Sequence, residues 1–355
     1  MRNSNFELLR IVCMLLIVLS HIDTQHRGEM NFQSFDYLVD FIVLHFACVA
    51  VNSFVIISGY WGIHFKFQKL LKLNAQTLFY SLAIFLFTLW LGWHSFSFTK
   101  DIGVFLPIFS KQYWFITVYY TLYLLSPVLN LFCENLSKRN FQILLVLGFV
   151  LFYLWPTGCY LINVRQLIDD AGFGIINFTY LYLLGRYIKL HFTTPKKATY
   201  WLIGYILFCS IALFTQLTLS LLLGFEFTSF HSYNTIFILG GSICLLLCFS
   251  KLNIHSIMIN NFAKHCLAVY LIHTGPYFWE HFCEKFSLKE YTGISYIILL
   301  FCAPVAIYIV CVAIEYLRQV IMGNFEDKII NKICMKSFFK RIQFEMTSLK
   351  SDSNT

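Results

Sequence analysis

Apolar residues run through this chain in long blocks, broken by short polar stretches rich in lysine, arginine, asparagine and glycine. The blocks do not alternate as strands would. Several approach or exceed the length needed to cross a bilayer as a helix, about 20 residues. They predict about ten helices, at roughly 7–23, 38–62, 73–93, 113–132, 141–158, 173–188, 199–223, 232–250, 264–282 and 292–317. No internal repeat stands out, and no linker points to a second folded domain. The expected fold is an all-α, polytopic membrane bundle over 1–318, followed by a polar, basic tail over 319–355.

Composition supports the bundle. Of the 355 residues, 58% are hydrophobic and only 12% charged, against about a quarter charged in soluble domains. The first block lacks a small-x-small cleavage site, so it reads as a retained span rather than a signal peptide. With the N-terminus inside, 20 of the 26 lysines and arginines fall in inner segments and six in outer ones, and both termini are cytoplasmic. Topology thus accounts for the net charge of +8, which gives no reason to invoke nucleic acid. The 12 cysteines form no CxxC pair, and most sit inside apolar blocks as small hydrophobes. Cys159 and Cys283, both near the outer face, could pair. In the tail, Lys328, Lys332, Lys336 and Lys340 recur every four residues beside Ile329, Ile333, Phe339 and Ile342. That pattern suits an interfacial helix on anionic lipid, or an ordinary juxtamembrane tail.

Four stretches carry candidate chemistry. In "NFELLRIVCMLLIVLSHI", residues 5–22, Arg10 and His21 are eleven residues apart. Eleven helical steps close within about 20° of three turns, so both side chains share a face, separated by about 16 Å along the axis. Ionisable groups within a membrane usually face an interior cavity. An interfacial anchor at Arg10 and a cap at His21 would account for the same two residues. In "VNSFVIISGYWGIHFKFQKLLKLN", residues 51–74, Ser58-Gly59 permits close helix contact or a kink. Lys66, Lys69 and Lys72 follow at the inner surface, where cations suit a phosphate-bearing ligand or simply set topology. In "YWFITVYYTLYLLSPVLN", residues 113–130, Tyr113 and Trp114 look like an outer aromatic belt, and Pro127 can kink or end the helix. Tyr119, Tyr120 and Tyr123 would fall on more than one face. In "FAKHCLAVYLIHTGPYFW", residues 262–279, His273 sits near mid-bilayer, with Gly275-Pro276 breaking the helix beyond it. A lone membrane histidine such as His273 or His45 also serves as a packed hydrogen-bonding residue. There is no HExxH, P-loop, GxGxxG or GxSxG, and no metal is expected.

The order "ELLR…H", "NSFVIISGY", "YWFI…YLLSP" and "YLIH" resembles acyltransferase family 3 over roughly residues 5–315. Its members are bacterial inner-membrane enzymes that acylate, usually acetylate, surface carbohydrates. The family's Arg-x10-His motif falls here on Arg10 and His21, with Glu7 at the acidic position that commonly precedes the arginine. The resemblance implies acyl-CoA, acetyl-CoA in most members, as a donor entering from the cytoplasm, and a hydroxyl of a surface carbohydrate or its precursor as acceptor. Two departures stand out. Lys69 and Lys72 replace an Arg-x-x-Arg pattern, and "TVYY" stands where many members carry a glutamate after the "WF" segment.

On this reading Arg10, Lys69 and Lys72 meet the phosphates of CoA. His21 acts as general base, its ordinary pKa lying near working pH, or carries the acyl group itself. Glu7, Ser58, Trp114, Tyr270 and His273 are candidates to line the site. The rival from another class is a transporter or flippase for a glycan or lipid-linked intermediate. That reading would favour internal repeats with broken helices in matching halves.

Overall fold

The computed structural model describes residues 3–27, 34–110, 112–164, 166, 170–223, 229–285, 288 and 291–348. Among them the regular structure is helical, with no strand. In chain order the α-helices are α1 (Ser4–Arg27), α2 (Phe35–Ala47), α3 (Val49–Trp61), α4 (Phe67–Trp90), α5 (Phe98–Phe105), α6 (Trp114–Asn135), α7 (Lys138–Phe149) and α8 (Trp155–Leu161). There follow α9 (Ile175–His191), α10 (Ala198–Leu223), α11 (Ile236–Ser250), α12 (Ile257–Ala263), α13 (Cys266–His273), α14 (Trp279–Lys285), α15 (Gly293–Cys334) and α16 (Ser337–Thr347). A π-helical stretch, Val150–Leu154, joins α7 to α8.

Local chemistry explains many of the boundaries. Ser34, Ser137, Thr235 and Ser256 each precede a helix, and each side-chain oxygen accepts the backbone N–H three residues on. Such caps satisfy donors the helix cannot, worth about 1 kcal/mol each. Pro127 does not end α6, which runs on to Asn135. Gly275-Pro276 does end α13, and Tyr277 beyond it takes a positive φ of 58°.

Seven helical stretches among the described residues are long and apolar enough to cross a membrane: Ser4–Ile22, Phe35–Trp61, Phe67–Trp90, Trp114–Asn135, Lys138–Leu161, Ala198–Leu223 and Gly293–Cys334. Of the other three predicted spans, 173–188 forms as α9, 17 residues long. The span 232–250 is shortened to α11, and the expected 264–282 helix is divided among α13, the turn at Gly275-Pro276 and α14. The predicted 38–62 helix is interrupted at Cys48. The last predicted span, 292–317, continues unbroken past 318/319 to Cys334. The lysine series is therefore divided: Lys328 and Lys332 end α15, and Lys340 lies on α16.

The segment α1 packs against α2, α3, α11, α12, α13 and α15 and forms the middle of the bundle. By contrast, α15 shows Ile294, Ile298, Phe301, Val305 and Ile309 outward, one stripe at helical spacing. Such a face is costly in water and suited to lipid. Close helix approach at α3 and α9 depends on two glycines. A Cβ on Gly59 would lie 2.2 Å from the Tyr182 carbonyl oxygen, and one on Gly185 would lie 2.3 Å from that of Ile56. The anticipated Ser58-Gly59 contact is this one.

The tail folds back on the bundle. Phe339 stacks on Phe67 at 4.7 Å. The Phe67 N–H donates to Gln343 Oε1 at 2.6 Å, and Gln343 Nε2 donates to the Phe65 carbonyl at 3.2 Å. Cys159 and Cys283 do not form a bridge.

Candidate active site

A cavity of about 640 Å³ runs through the bundle beside α1. From α1 it takes Arg10, Met14, Ile17, Ser20 and His21, which recur at three- and four-residue steps and so share one face. From α3 come Val51, Phe54 and Ser58, again one face. Trp114, Phe115 and Tyr119 of α6, and Cys266 and Tyr270 of α13, supply further wall. No carboxylate lines it among the described residues.

One end is cationic and partly open. The Arg10 side chain is 29% exposed, and its Nη1 donates to Glu7 Oε1 at 2.6 Å. Glu7 itself is buried, in the first turn of α1, where the helix dipole favours an anion. The Ser58 hydroxyl lies 3.3 Å from that of Tyr119, so both hydroxyls meet at the cavity wall.

At the other end two imidazoles meet. His21 Nδ1 and His273 Nε2 are 2.9 Å apart, and His273 Nδ1 lies 2.6 Å from the Val269 carbonyl oxygen. A carbonyl can only accept, so His273 carries its proton on Nδ1 and offers Nε2 as acceptor. Neutral His21 must then donate from Nδ1, which leaves Nε2 as its basic nitrogen. This tautomer assignment follows from the hydrogen-bond network. The indole of Trp279 stands edge-on to both rings, at 6.4 Å from His21 and 5.5 Å from His273.

The break that puts Trp279 there is tied down by Asp101. Its carboxylate accepts from Tyr277 Oη at 2.6 Å and from the Ser97 N–H at 2.7 Å, and His94 Nε2 lies 3.0 Å away. The His94 and Tyr277 rings stack at 3.7 Å. Burial by itself would raise the Asp101 carboxyl. The hydrogen bonds from Tyr277, Ser97 and His94 outweigh that and hold it below its ordinary value. Burial, with the Asp101 carboxylate beside it, pushes the Tyr277 hydroxyl up to about 12.

Sequence expectation and placement differ in several ways. Arg10, His21, Ser58, Trp114 and Tyr270 line one cavity, Glu7 braces Arg10, and His273 stands behind His21. The two lysines are not brought into the wall. Lys72 pairs with Asp327 of α15 at 2.5 Å. Lys69 is exposed one turn before Leu73, the α4 residue that does line the cavity. The aromatic-belt reading of Tyr113 and Trp114 also fails. Tyr113 is fully buried, its hydroxyl donating to the Leu271 carbonyl at 3.2 Å, and Trp114 faces the cavity. His45 is a buried packing residue, its Nδ1 2.7 Å from the Phe41 carbonyl. The sequence reading missed Val51 and Phe54, although their spacing to Ser58 is helical. It also missed Trp279, which the helix break delivers, and His231 and Tyr233, which reach the cavity from a loop without a local signal.

The family model described as an acyltransferase domain, that of acyltransferase family 3, matches residues 3–316. No curated protein and no solved structure matches the chain.

Proposed function

The chain belongs to acyltransferase family 3, and from that premise we propose that it moves an acyl group, acetyl in the first instance, from cytoplasmic acyl-CoA to a carbohydrate hydroxyl at the outer face of a bacterial inner membrane. With the N-terminus inside, as the lysine and arginine bias indicates, Arg10 is at the cytoplasmic mouth and His21 lies towards the exterior. The observation that carries the reading is the His273–His21 pair at one end of a cavity whose other end holds Arg10.

The cavity suits the donor. Arg10 offers a guanidinium for a phosphate of CoA, and Lys69 is exposed. Met14, Ile17, Val51 and Phe54 give an apolar lane for the pantetheine arm. Ser58 and Tyr119 offer hydroxyls to its amides.

At the His21 end an acceptor hydroxyl attacks the thioester carbonyl while its proton passes to His21 Nε2. The C–S bond then breaks. The departing CoA thiolate takes that proton from the imidazolium, leaving an ester and free CoA. His273 holds the His21 ring in the tautomer that presents Nε2, as the partner of a catalytic histidine does elsewhere. No glutamate is required for this sequence of proton transfers. Family membership favours this reading over a flippase, which would not consume acyl-CoA.

The test is turnover of radiolabelled acetyl-CoA by the purified protein in proteoliposomes. His21→Ala is expected to lower kcat by about 10²–10⁴-fold, the usual contribution of a general base. Arg10→Ala is expected to act mainly through KM for the donor. Wild-type turnover by His21→Ala would overturn the assignment.

A further inference from the structure

Beside the large cavity lies a smaller one, about 250 Å³ in volume. The two share a wall made of two chain segments. Along 170–173 successive residues face opposite ways: Asp170 and Gly172 line the small cavity, Ala171 and Phe173 the large one. Along 232–234, Ser232 and Tyr233 line the large cavity and Asn234 the small one. The segments are joined by the Tyr233 N–H donating to the Ala171 carbonyl at 3.0 Å. The partition is therefore about one backbone thick.

The wall is held in an unusual conformation. Ala171 and Gly172 both have positive φ, 49° and 83°. Glycine adopts this region freely and alanine does not. A Cβ on Gly172 would come within 2.8 Å of the Asn234 nitrogen, so the glycine also allows the close approach of the two segments. Such strain persists only where surrounding structure imposes it, and it gathers at functional sites.

The small cavity divides by chemistry. A few polar side chains reach into it, while Phe152, Pro156 and Ile176 supply apolar wall. Asn177 and Asn234 are buried and fixed: Asn177 Nδ2 donates to the Gly172 carbonyl at 2.8 Å, and Asn234 Oδ1 accepts from Tyr160 Oη at 3.0 Å. Gln166 Nε2 is shielded from solvent and has no hydrogen-bond partner among the described residues. A buried carboxamide donor left unsatisfied points to an acceptor supplied by a ligand. Asp170 offers carboxylate oxygens to hydroxyl donors. The rim is apolar and exposed, with Trp155 63% and Leu151 56% accessible.

We propose that this cavity binds a sugar ring of the acceptor, adjacent to the ring that is acylated in the His21 cavity. The proposal rests on the acyl-transfer reading above and adds where the acceptor is gripped. Carboxamide donors and a carboxylate acceptor match neighbouring ring hydroxyls. The Trp155 indole offers an apolar face to the C–H side of the same ring. Contacts this far from the reacting hydroxyl orient it without touching it. The ring can arrive on a polymer or on a membrane lipid, since both present the same hydroxyls.

The experiment uses membrane vesicles from cells deleted for the gene, carrying wild type, Trp155→Ala or Gln166→Leu, and supplied with radiolabelled acetyl-CoA. It reads the ratio of label in carbohydrate to label released as acetate. Label in the chloroform–methanol extract reports a lipid-borne acceptor, and label in the water-soluble polymer a free glycan. Trp155 is largely exposed, so its replacement removes little packing. Both variants are expected to lower the transfer-to-acetate ratio by about tenfold, the effect of one lost orienting contact. A wild-type ratio in both variants would overturn the subsite. An equal fall in transfer and acetate release would also overturn it, by marking general damage. No labelled carbohydrate with the wild-type protein would instead remove the carbohydrate reading itself, and the subsite with it.

Discussion

The imidazole of His273 backs that of His21 at 2.9 Å, with the Val269 carbonyl fixing the far side of His273 at 2.6 Å. A carbonyl, a histidine and a second histidine thus form a line that ends at the cavity. The polarity of that line sets which nitrogen of His21 is basic, and it leads to a first prediction. His273→Ala is expected to lower kcat for acetyl transfer by about 10–10³-fold, less than His21→Ala, with the donor KM little changed. His273→Gln, whose side-chain oxygen can still accept from His21 Nδ1, should recover part of the loss. Steady-state kinetics of the three variants in proteoliposomes provide the check. Equal rates for His273→Ala and wild type would show that His273 does not position His21.

At the Arg10 end the cavity can be closed by a single side chain. Ser58 lines the wall on the same α3 face as Val51 and Phe54, so Ser58→Trp fills space that the proposed donor arm would occupy. Loss of acetyl-CoA binding by isothermal titration, with an unchanged circular dichroism spectrum, is the expected outcome. Undiminished binding would mean that the donor enters elsewhere.

The crossing of α3 and α9 tolerates no added bulk. Gly59→Val or Gly185→Val forces backbone apart where a Cβ already falls within 2.3 Å of a carbonyl oxygen. Overpacking of this kind costs about 1–3 kcal/mol. A lowered thermal midpoint in detergent is expected for both, and for Gly92→Ala, where a Cβ meets nothing within 4 Å, only the smaller strain of a positive φ.

Asp101 couples stability to pH. Its carboxyl is held below the ordinary value by Tyr277, Ser97 and His94, which bind the charged form. A depressed carboxyl contributes stability that is complete above its ordinary pKa and is lost as pH falls through the lower, folded-state value. Wild-type protein should therefore lose thermal stability in acid more steeply than Asp101→Asn. Melting scans between neutral and acid pH would show this, and parallel curves would dismiss the coupling.

The tail clasp is a weaker element. Lys72–Asp327 is a half-exposed pair, worth at most about 1 kcal/mol. Breaking it with Lys72→Ala should leave the melting temperature nearly unchanged. Gln343→Ala, which removes the acceptor for the Phe67 N–H, should speed proteolytic cleavage between α15 and α16. Mass spectrometry of timed digests reports the site.

Much of this protein is readable along the chain, because the bilayer imposes the rule. Backbone polar groups in hydrocarbon must be paired within their own segment, so apolar blocks of sufficient length become helices. Helical periodicity then puts Arg10 and His21 on one face of α1, and proline and glycine end α13 where they stand. These are local consequences, set by the residues concerned and their near neighbours. Tertiary packing decided the rest. It brought His273, 252 residues distant in sequence, behind His21, turned Lys72 to Asp327, buried Tyr113, and folded two loops into one wall between two cavities. Each of those outcomes depends on which surfaces meet when helices pack, and no periodicity within a single segment encodes the identity of its neighbour.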